Sequence, residues 1–237
     1  MRRSFDFGYA FAQDDRCSGG LINCSINRNL YLHFYHFPVI MIKKQGGIAM
    51  KALQEKILAL GTINGKYIDV DSFLSHQVDV PFLMEMAEEF EKRFDLTGVT
   101  KIVTIEASGI PLATVCACHF RLPLVFVKKV KSDYPEDPVY KSTIFSFTYQ
   151  RPTTLACEQA FLCKEDRVLI IDDFLAGGQS MRGLVDIVRQ SGASVAGIGV
   201  AIDKRFEGGG IRLRSEGYQV EALATITDIQ NETPIFA

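Results

Sequence analysis

From residue 50 onward, apolar and polar positions follow two periods that take turns along the chain. Across residues 51–60, Leu53, Ile57 and Leu60 recur at helical spacing, and Gly61 ends the run. Residues 81–94 set Leu83, Met86, Ala87, Phe90 and Phe94 on one face and Glu85, Glu88, Glu89, Glu91 and Lys92 on the other, the pattern of an amphipathic helix. The apolar run KIVTI at 101–105 predicts a buried strand, followed by a turn over 106–109 and a helix opening at Pro111. Residues 124–127 predict a short buried strand. Residues 142–149 alternate as a hairpin arm does, with 153–159 as its partner. RVLII at 167–171 predicts another buried strand, and 181–191 a helix with Leu184, Ile187 and Val188 inward. Residues 194–202 predict a third strand of the parallel type, and 221–226 an edge strand.

Strands and helices alternating at this spacing predict an α/β fold: a central, mostly parallel sheet flanked by helices, with right-handed crossovers. One domain over residues 50–237 includes all of these elements, with a lid loop as an appendage. Ligands of such sheets bind beyond the carboxyl ends of the strands, so chemistry is expected just after Ile105, Val127, Ile171 and Ile202.

Residues 1–49 show neither period. They carry six basic and three acidic residues, a charge of +3, against 20 basic and 25 acidic residues in the remainder. Arg2 and Arg3 are followed by polar and aromatic residues, not by the apolar core of a signal peptide. Lys44, Gln45, Gly46 and Gly47 can be encoded by a stretch containing AAGCAAGGAGG, which resembles a bacterial ribosome-binding site. Met50 is therefore expected to be the start, with 1–49 a non-native, irregular N-terminal extension.

Composition narrows the class. With 47% hydrophobic and 23% charged residues, disorder, collagen and coiled coil are excluded. The longest apolar run, 30–42, is broken by His33, His36 and Pro38 and falls short of the roughly 20 residues that cross a bilayer. A soluble, cytoplasmic protein without a membrane partner is expected. A net charge of -2 provides no field for nucleic acid. The six cysteines, Cys17, Cys24, Cys116, Cys118, Cys157 and Cys163, lack zinc-type spacing and are expected to be free thiols, with Cys116 and Cys118 buried.

The strongest chemical signal is VLIIDDFLAGGQS at 168–180. An apolar strand delivers Asp172 and Asp173, and a loop of small residues then opens a helix whose first turn has free backbone N–H groups and a positive dipole end. Gly177 and Gly178 let the backbone wrap an anion such as phosphate, and Ser180 adds a hydroxyl. Adjacent carboxylates repel phosphate, so their natural partners are vicinal hydroxyls, as on a ribose. Lys128, Lys129 and Lys131 form a cationic cluster suited to a highly charged leaving group, and Glu106-Ala107-Ser108-Gly109 can turn backbone N–H groups toward a diphosphate. Residues 132–142 read as a mobile lid.

In the acid pair and its loop the sequence resembles the type I phosphoribosyltransferases. The resemblance narrows to the bacterial xanthine phosphoribosyltransferases through VDSFLSHQ at 70–77, KIVTIE at 101–106, FVKKVKS at 126–132, SFT at 146–148, GIG at 197–199 and VAIDKRF at 200–206. It implies that Asp172 and Asp173 hold the ribose of 5-phosphoribosyl 1-diphosphate (PRPP) and act in catalysis. It also implies that Ala176, Gly177, Gly178, Gln179 and Ser180 hold the 5-phosphate, with Glu106, Ser108, Lys128 and Lys129 toward the diphosphate. The resemblance also implies a small hood over the base that includes residues 71–79; Ile68 and Ser75 match positions that contact xanthine, where the family commonly has Leu and Asn, and Gly177 replaces a usual Asn. Lys204 can donate to the exocyclic oxygen of an oxopurine and cannot accept from an adenine amino group. His76 is expected to be structural. The implied reaction is purine salvage: xanthine plus PRPP gives xanthosine monophosphate (XMP) and diphosphate, in a homodimer. Mg²⁺ travels with the PRPP diphosphate and is held by substrate oxygens, so no metal-ligand cluster of the protein is expected. Alternatives are a PRPP-binding regulator of purine genes, whose DNA-binding helices 1–49 lack, and a transferase for adenine, guanine or orotate.

Overall fold

The structure, a computed structural model, describes residues 50–130, 138–146 and 151–237. The expectations for 1–49, for residues 132–137 of the lid and for Lys131 and Phe147-Thr148 fall outside the described residues, while residues 139–142, expected in the lid, belong to a strand over Val139–Ser146, whose ladder pairing holds them.

Helix α1 (Lys51–Leu60) leads into a small hairpin, β1 (Thr62–Asn64) and β2 (Tyr67–Asp69), then a π-type turn over Asp71–Ser75 and helix α2 (Val80–Arg93). Asp79 caps α2, its carboxylate accepting from the Phe82 N–H at 3.2 Å, with Pro81 in the first turn. There follow β3 (Lys101–Ile105), α3 (Gly109–Phe120), β4 (Leu124–Val130), β5 (Val139–Ser146), β6 (Arg151–Glu158), β7 (Arg167–Leu175), α4 (Gln179–Gln190), β8 (Ser194–Lys204), α5 (Gly209–Ser215), β9 (Val220–Gln230) and β10 (Thr233–Phe236).

The main sheet has eight strands in the order β10-β9-β8-β7-β3-β4-β6-β5. The run from β9 to β4 is parallel throughout, while β10, β6 and β5 add antiparallel pairings at the two margins. This is the mostly parallel sheet expected, and residues 142–146 and 153–158 lie in the two arms of one hairpin, β5–β6, as expected for them.

The two faces of the sheet carry separate cores. Ile102, Leu169 and Ile171 face α1, α2 and α3, whereas Val103, Ile105, Val168 and Ile170 face α4. The alternation within each strand sets this division. Glycines in β8 bring α2 close: a Cβ on Gly197 would stand 2.6 Å from the Phe94 ring, and one on Gly199 would stand 2.9 Å from Phe90. No helix among the described residues is long and apolar enough to cross a membrane.

Four expectations are corrected. Helix α3 starts at Gly109, not Pro111, because proline is accepted in a first turn and does not have to begin it. The strands predicted to stop at Val127, Ile171 and Ile202 run on to Val130, Leu175 and Lys204, since ladder pairing continues where the side chains become polar. The strand β9 is not an edge, because β10 pairs with its outer side. Cys118 lies exposed on α3, although Cys116 is buried as expected.

Candidate active site

The chain passes from β3 to β4 on one side of the sheet and from β7 to β8 on the other, so the connections after β3 and β7 diverge. A crevice opens at such a switch point. One wall is the loop at 106–109 and the other the loop at 176–178.

Asp172 and Asp173 sit near the end of β7, inside the strand. Asp172 pairs in register with Val200, and the two acids are only 4% and 5% exposed. The Asp173 N–H donates to Asp172 Oδ1 at 3.1 Å, and among the described residues no basic side chain forms an ion pair with Asp172. Burial, then the neighbouring charge of Asp173, holds the Asp172 carboxyl well above the usual carboxylate range. The Lys129 charge works weakly in the opposite direction. Gly109 lets α3 close onto this carboxylate: a Cβ there would lie 2.2 Å from Asp172 Oδ1 and 2.4 Å from Thr104 Oγ1. Thr104 is fully buried with its hydroxyl unpartnered, a polar group beside Asp172 that the apolar look of KIVTI concealed.

Beyond β7 the backbone enters α4 through Gly178, whose φ of 82° is the left-handed conformation glycine permits. As no side chain caps this helix, the amides of Gln179, Ser180 and Met181 are open to an anion. Behind the loop stands a segment the sequence reading passed over. The Gly209 N–H donates to Ala176 O at 3.1 Å, and Arg212 Nη2 donates to Gly177 O at 2.7 Å. The Gly208-Gly209-Gly210 run was its available signal.

On the other wall, the Glu106 N–H donates to Val127 O at 3.0 Å, and Glu106 Oε1 accepts from the Lys129 N–H at 2.5 Å. Glu106 thus fastens its loop to β4, and Ser108 remains exposed with no capping bond. Lys128 and Lys129 lie within β4, where Lys128 pairs with Ala156 and Lys129 with Leu155, instead of past its end. Successive strand residues point to opposite faces. The charge of Lys129 acts on Asp172 and that of Lys128 on Cys157, so only Lys129 is brought to the acid pair.

Lys204 ends β8. Its ammonium donates to Lys66 O at 3.0 Å in the β1–β2 turn and lies 5.2 Å from the centre of the Phe174 ring. Burial lowers its pKa, opposed by the charges of Glu207 and Asp173. The hood is therefore tied to the rim of the sheet by a lysine that also stands near the acid pair. Ile68 is 3% exposed and belongs to the core under the hood, so it forms a wall and not an open contact. Ser75 is half-buried at the end of the π-type turn. His76 is exposed, and its backbone N–H donates to Asp71 O. A cavity of about 320 Å³ lies beyond the hood turn, lined by Gly65, Lys66, Phe206, Asp228, Asn231 and Glu232. It is separate from the acid pair, where burial and charge concentrate.

A buried acid pair beside a glycine-lined helix entrance, at a switch point, suits a phosphorylated sugar. The phosphoribosyl transferase domain family matches residues 80–211, which include both walls. The chain belongs to the phosphoribosyltransferase family. It is 46% identical over 188 residues to the xanthine phosphoribosyltransferase of Bacillus mycoides, covering 79% of this chain and 95% of that one. To the xanthine phosphoribosyltransferase of Heliobacterium modesticaldum it is 45% identical over 189 residues, 79% of this chain and all of the other. The resemblance read from the sequence is borne out by these relatives. Among solved structures, the adenine phosphoribosyltransferase of Giardia lamblia complexed with 9-deazaadenine has a TM-score of 0.63 at 20% identity, covering 77% of this chain and 100% of that one. The adenine enzyme of Thermoanaerobacter pseudethanolicus has a TM-score of 0.60 at 19% identity, covering 73% and 99%. At that identity these neighbours establish the phosphoribosyltransferase fold.

Proposed function

We propose that this chain transfers the 5-phosphoribosyl group of PRPP to xanthine, releasing diphosphate and XMP, as a cytoplasmic purine salvage enzyme. The catalytic unit is residues 50–237, acting as a homodimer. The observation that carries the reading is the buried Asp172–Asp173 pair, without an ion-pair partner among the described residues, set one loop ahead of the open α4 entrance.

In this reading the amides of 176–180 and the Ser180 hydroxyl receive the 5-phosphate, while Asp172 and Asp173 accept from the ribose hydroxyls. Xanthine attacks C1 through a ring nitrogen, the bond from C1 to the diphosphate oxygen breaks, and the ribose passes through a cation-like state. The acid pair lies where that positive charge develops, and charge stabilisation there is the main lever on the rate. Lys129 provides positive charge for the departing diphosphate, and the 106–108 loop offers it backbone donors. Lys204 donates to an oxygen of the base, exchanging its present acceptor, Lys66 O. Ser75 and the Ile68 wall complete the base side.

No group of three or more metal-ligating side chains occurs among the described residues. Two adjacent carboxylates with no third ligand fit an ion that arrives on its substrate, and Asp172 and Asp173 are the side chains that would hold it through the ribose hydroxyls. Mg²⁺ bound in this way neutralises charge on the diphosphate.

The test is diphosphate release from PRPP with xanthine, guanine, hypoxanthine, adenine and orotate in parallel, with PRPP binding followed by calorimetry. Xanthine is expected to be the preferred base. Turnover only with adenine or orotate would move the substrate, binding without turnover would make the chain a regulator, and no PRPP binding would end the reading. Light scattering tests the dimer.

A further inference from the structure

A phosphate cradle made of backbone amides works only if the peptide planes face the right way. In a trans peptide the C=O of one residue and the N–H of the next point in opposite directions. Whatever holds the carbonyls of Ala176 and Gly177 therefore decides where the N–H groups of Gly177 and Gly178 point. Both carbonyls are held from one side, by the segment 207–212. The Gly209 N–H takes Ala176 O at 3.1 Å, and the Arg212 guanidinium takes Gly177 O at 2.7 Å and Glu207 O at 3.3 Å.

The fit is close enough to exclude side chains. A Cβ on Gly209 would stand 2.2 Å from Ala176 O and 2.7 Å from the Gly178 nitrogen. On Gly208 it would be 2.9 Å from Arg212 Nη1. The segment is itself anchored. Arg214 Nη1 donates to the buried Asp203 at 3.3 Å, and its Nε and Nη2 donate to Val220 O at 3.1 and 3.0 Å, tying α5 to β8 and β9. Arg182, on the first turn of α4, pairs with Glu216 just after α5.

We infer that Arg212 is a positioning residue for the 5-phosphate: from behind the loop it turns the Gly177–Gly178 peptide so that the Gly178 N–H faces the ligand, with Gly209 doing the same for the preceding plane. The inference rests on the reading of 176–180 as the phosphate cradle. A guanidinium suits the task, because the two N–H groups of its Nη2 hold two carbonyls at once and its charge favours an anion on the far side of the loop. Arg212 never touches the substrate, so its loss acts on the phosphate end alone.

The experiment compares wild type, Arg212→Met and Arg212→Lys by steady-state kinetics, with inhibition by ribose 5-phosphate and by diphosphate. Loss of a charge-assisted hydrogen bond predicts that Arg212→Met raises KM for PRPP about tenfold. The inhibition constant of ribose 5-phosphate should rise in parallel, while kcat, KM for xanthine and the inhibition constant of diphosphate stay within twofold. Arg212→Lys, which restores one donor and the charge, should recover part of the loss. A purely structural role would move both inhibition constants together and would not be rescued by lysine; that result, or an unchanged KM for PRPP, overturns the inference. Gly209→Ala should show the same selective pattern more strongly, and if it fails to fold the arginine series still decides. A wild-type chain that neither consumes PRPP nor binds ribose 5-phosphate removes the cradle itself, whereas an active wild type matched by Arg212→Met removes only the role given to Arg212.

Discussion

Two aspartates stand at opposite ends of β7, both almost closed off from water and in opposite surroundings. Asp166, just before the strand, is 6% exposed and accepts from Lys101 Nζ at 2.7 Å, Thr100 Oγ1 at 2.8 Å and the Cys163 N–H at 3.0 Å. Burial pushes its carboxyl up, but these partners outweigh it and hold the group below the usual range. Asp172, six residues on, has a neighbouring carboxylate and no ion-pair partner among the described residues, and is pushed up. A buried acid with its partners present joins segments of the fold. A buried acid without them is binding capacity waiting for a ligand, and its strain is tolerated because the rest of the sheet holds the strand in place.

The sharpest way to break that contrast is to neutralise each end. Asp172→Asn with Asp173→Asn should lower kcat/KM by about 10²–10³-fold or more, since the groups facing the developing ribosyl charge are lost. The melting temperature should hold or rise, because a poorly compensated buried pair of acids is removed; a large drop would mean the pair is structural. Asp166→Ala should instead cost about 3 kcal/mol of stability by leaving Lys101 buried without its partner, read by denaturant unfolding, with kinetics per folded molecule unchanged.

Their pH responses should be opposite in sign. Asp166 has a lowered folded pKa, so its contribution is present above pH ~4 and lost as pH falls through the folded value. Asp172 has a raised folded pKa, so its contribution is largest below pH ~4 and declines as pH rises toward the folded value. Asp172→Asn should flatten the decline of apo-protein stability on the neutral side, and Asp166→Asn the decline on the acid side. Thermal melts across pH 3 to 8 check both.

Smaller effects sharpen the contrast between the sugar end and the base end. Lys204→Met should raise KM for xanthine about tenfold by removing a charged donor, with KM for PRPP changed much less. Equal changes in both would place Lys204 in the scaffold of the hood. Ser75→Asn, restoring the amide common in the family, should tighten xanthine by a few-fold relative to hypoxanthine. Competition between the two bases measures this ratio, and no change would take Ser75 out of the base contacts.

The elements legible in the sequence are those whose evidence is local. Helix α1 follows its predicted bounds, α2 and α4 lie within one or two residues of theirs, and 101–105 is the strand that KIVTI suggests. The acid pair and the glycine loop were readable because strand, carboxylates and helix entrance lie within 13 consecutive residues. What was misread depended on neighbours. A hydropathy pattern sees the end of apolar side chains, not of the hydrogen-bond ladder, so β4, β7 and β8 were cut short and Lys128 and Lys129 were placed after a strand that contains them. The hairpin β1–β2, with three residues in each strand, gives no periodic signal at all.

Sequence alone was enough for the alternation of helix and strand, the family resemblance and the acid pair with its glycine loop, because short-range pattern carries each of them. Only the tertiary structure could separate Lys129 from Lys128, bury Ile68, tie Lys204 to the hood and put Arg212 behind the phosphate loop. Those relations join residues as many as 138 positions apart, as in the bond from Lys204 to Lys66, and no periodicity spans that distance. The strand order and the closeness of backbones at glycines decide them.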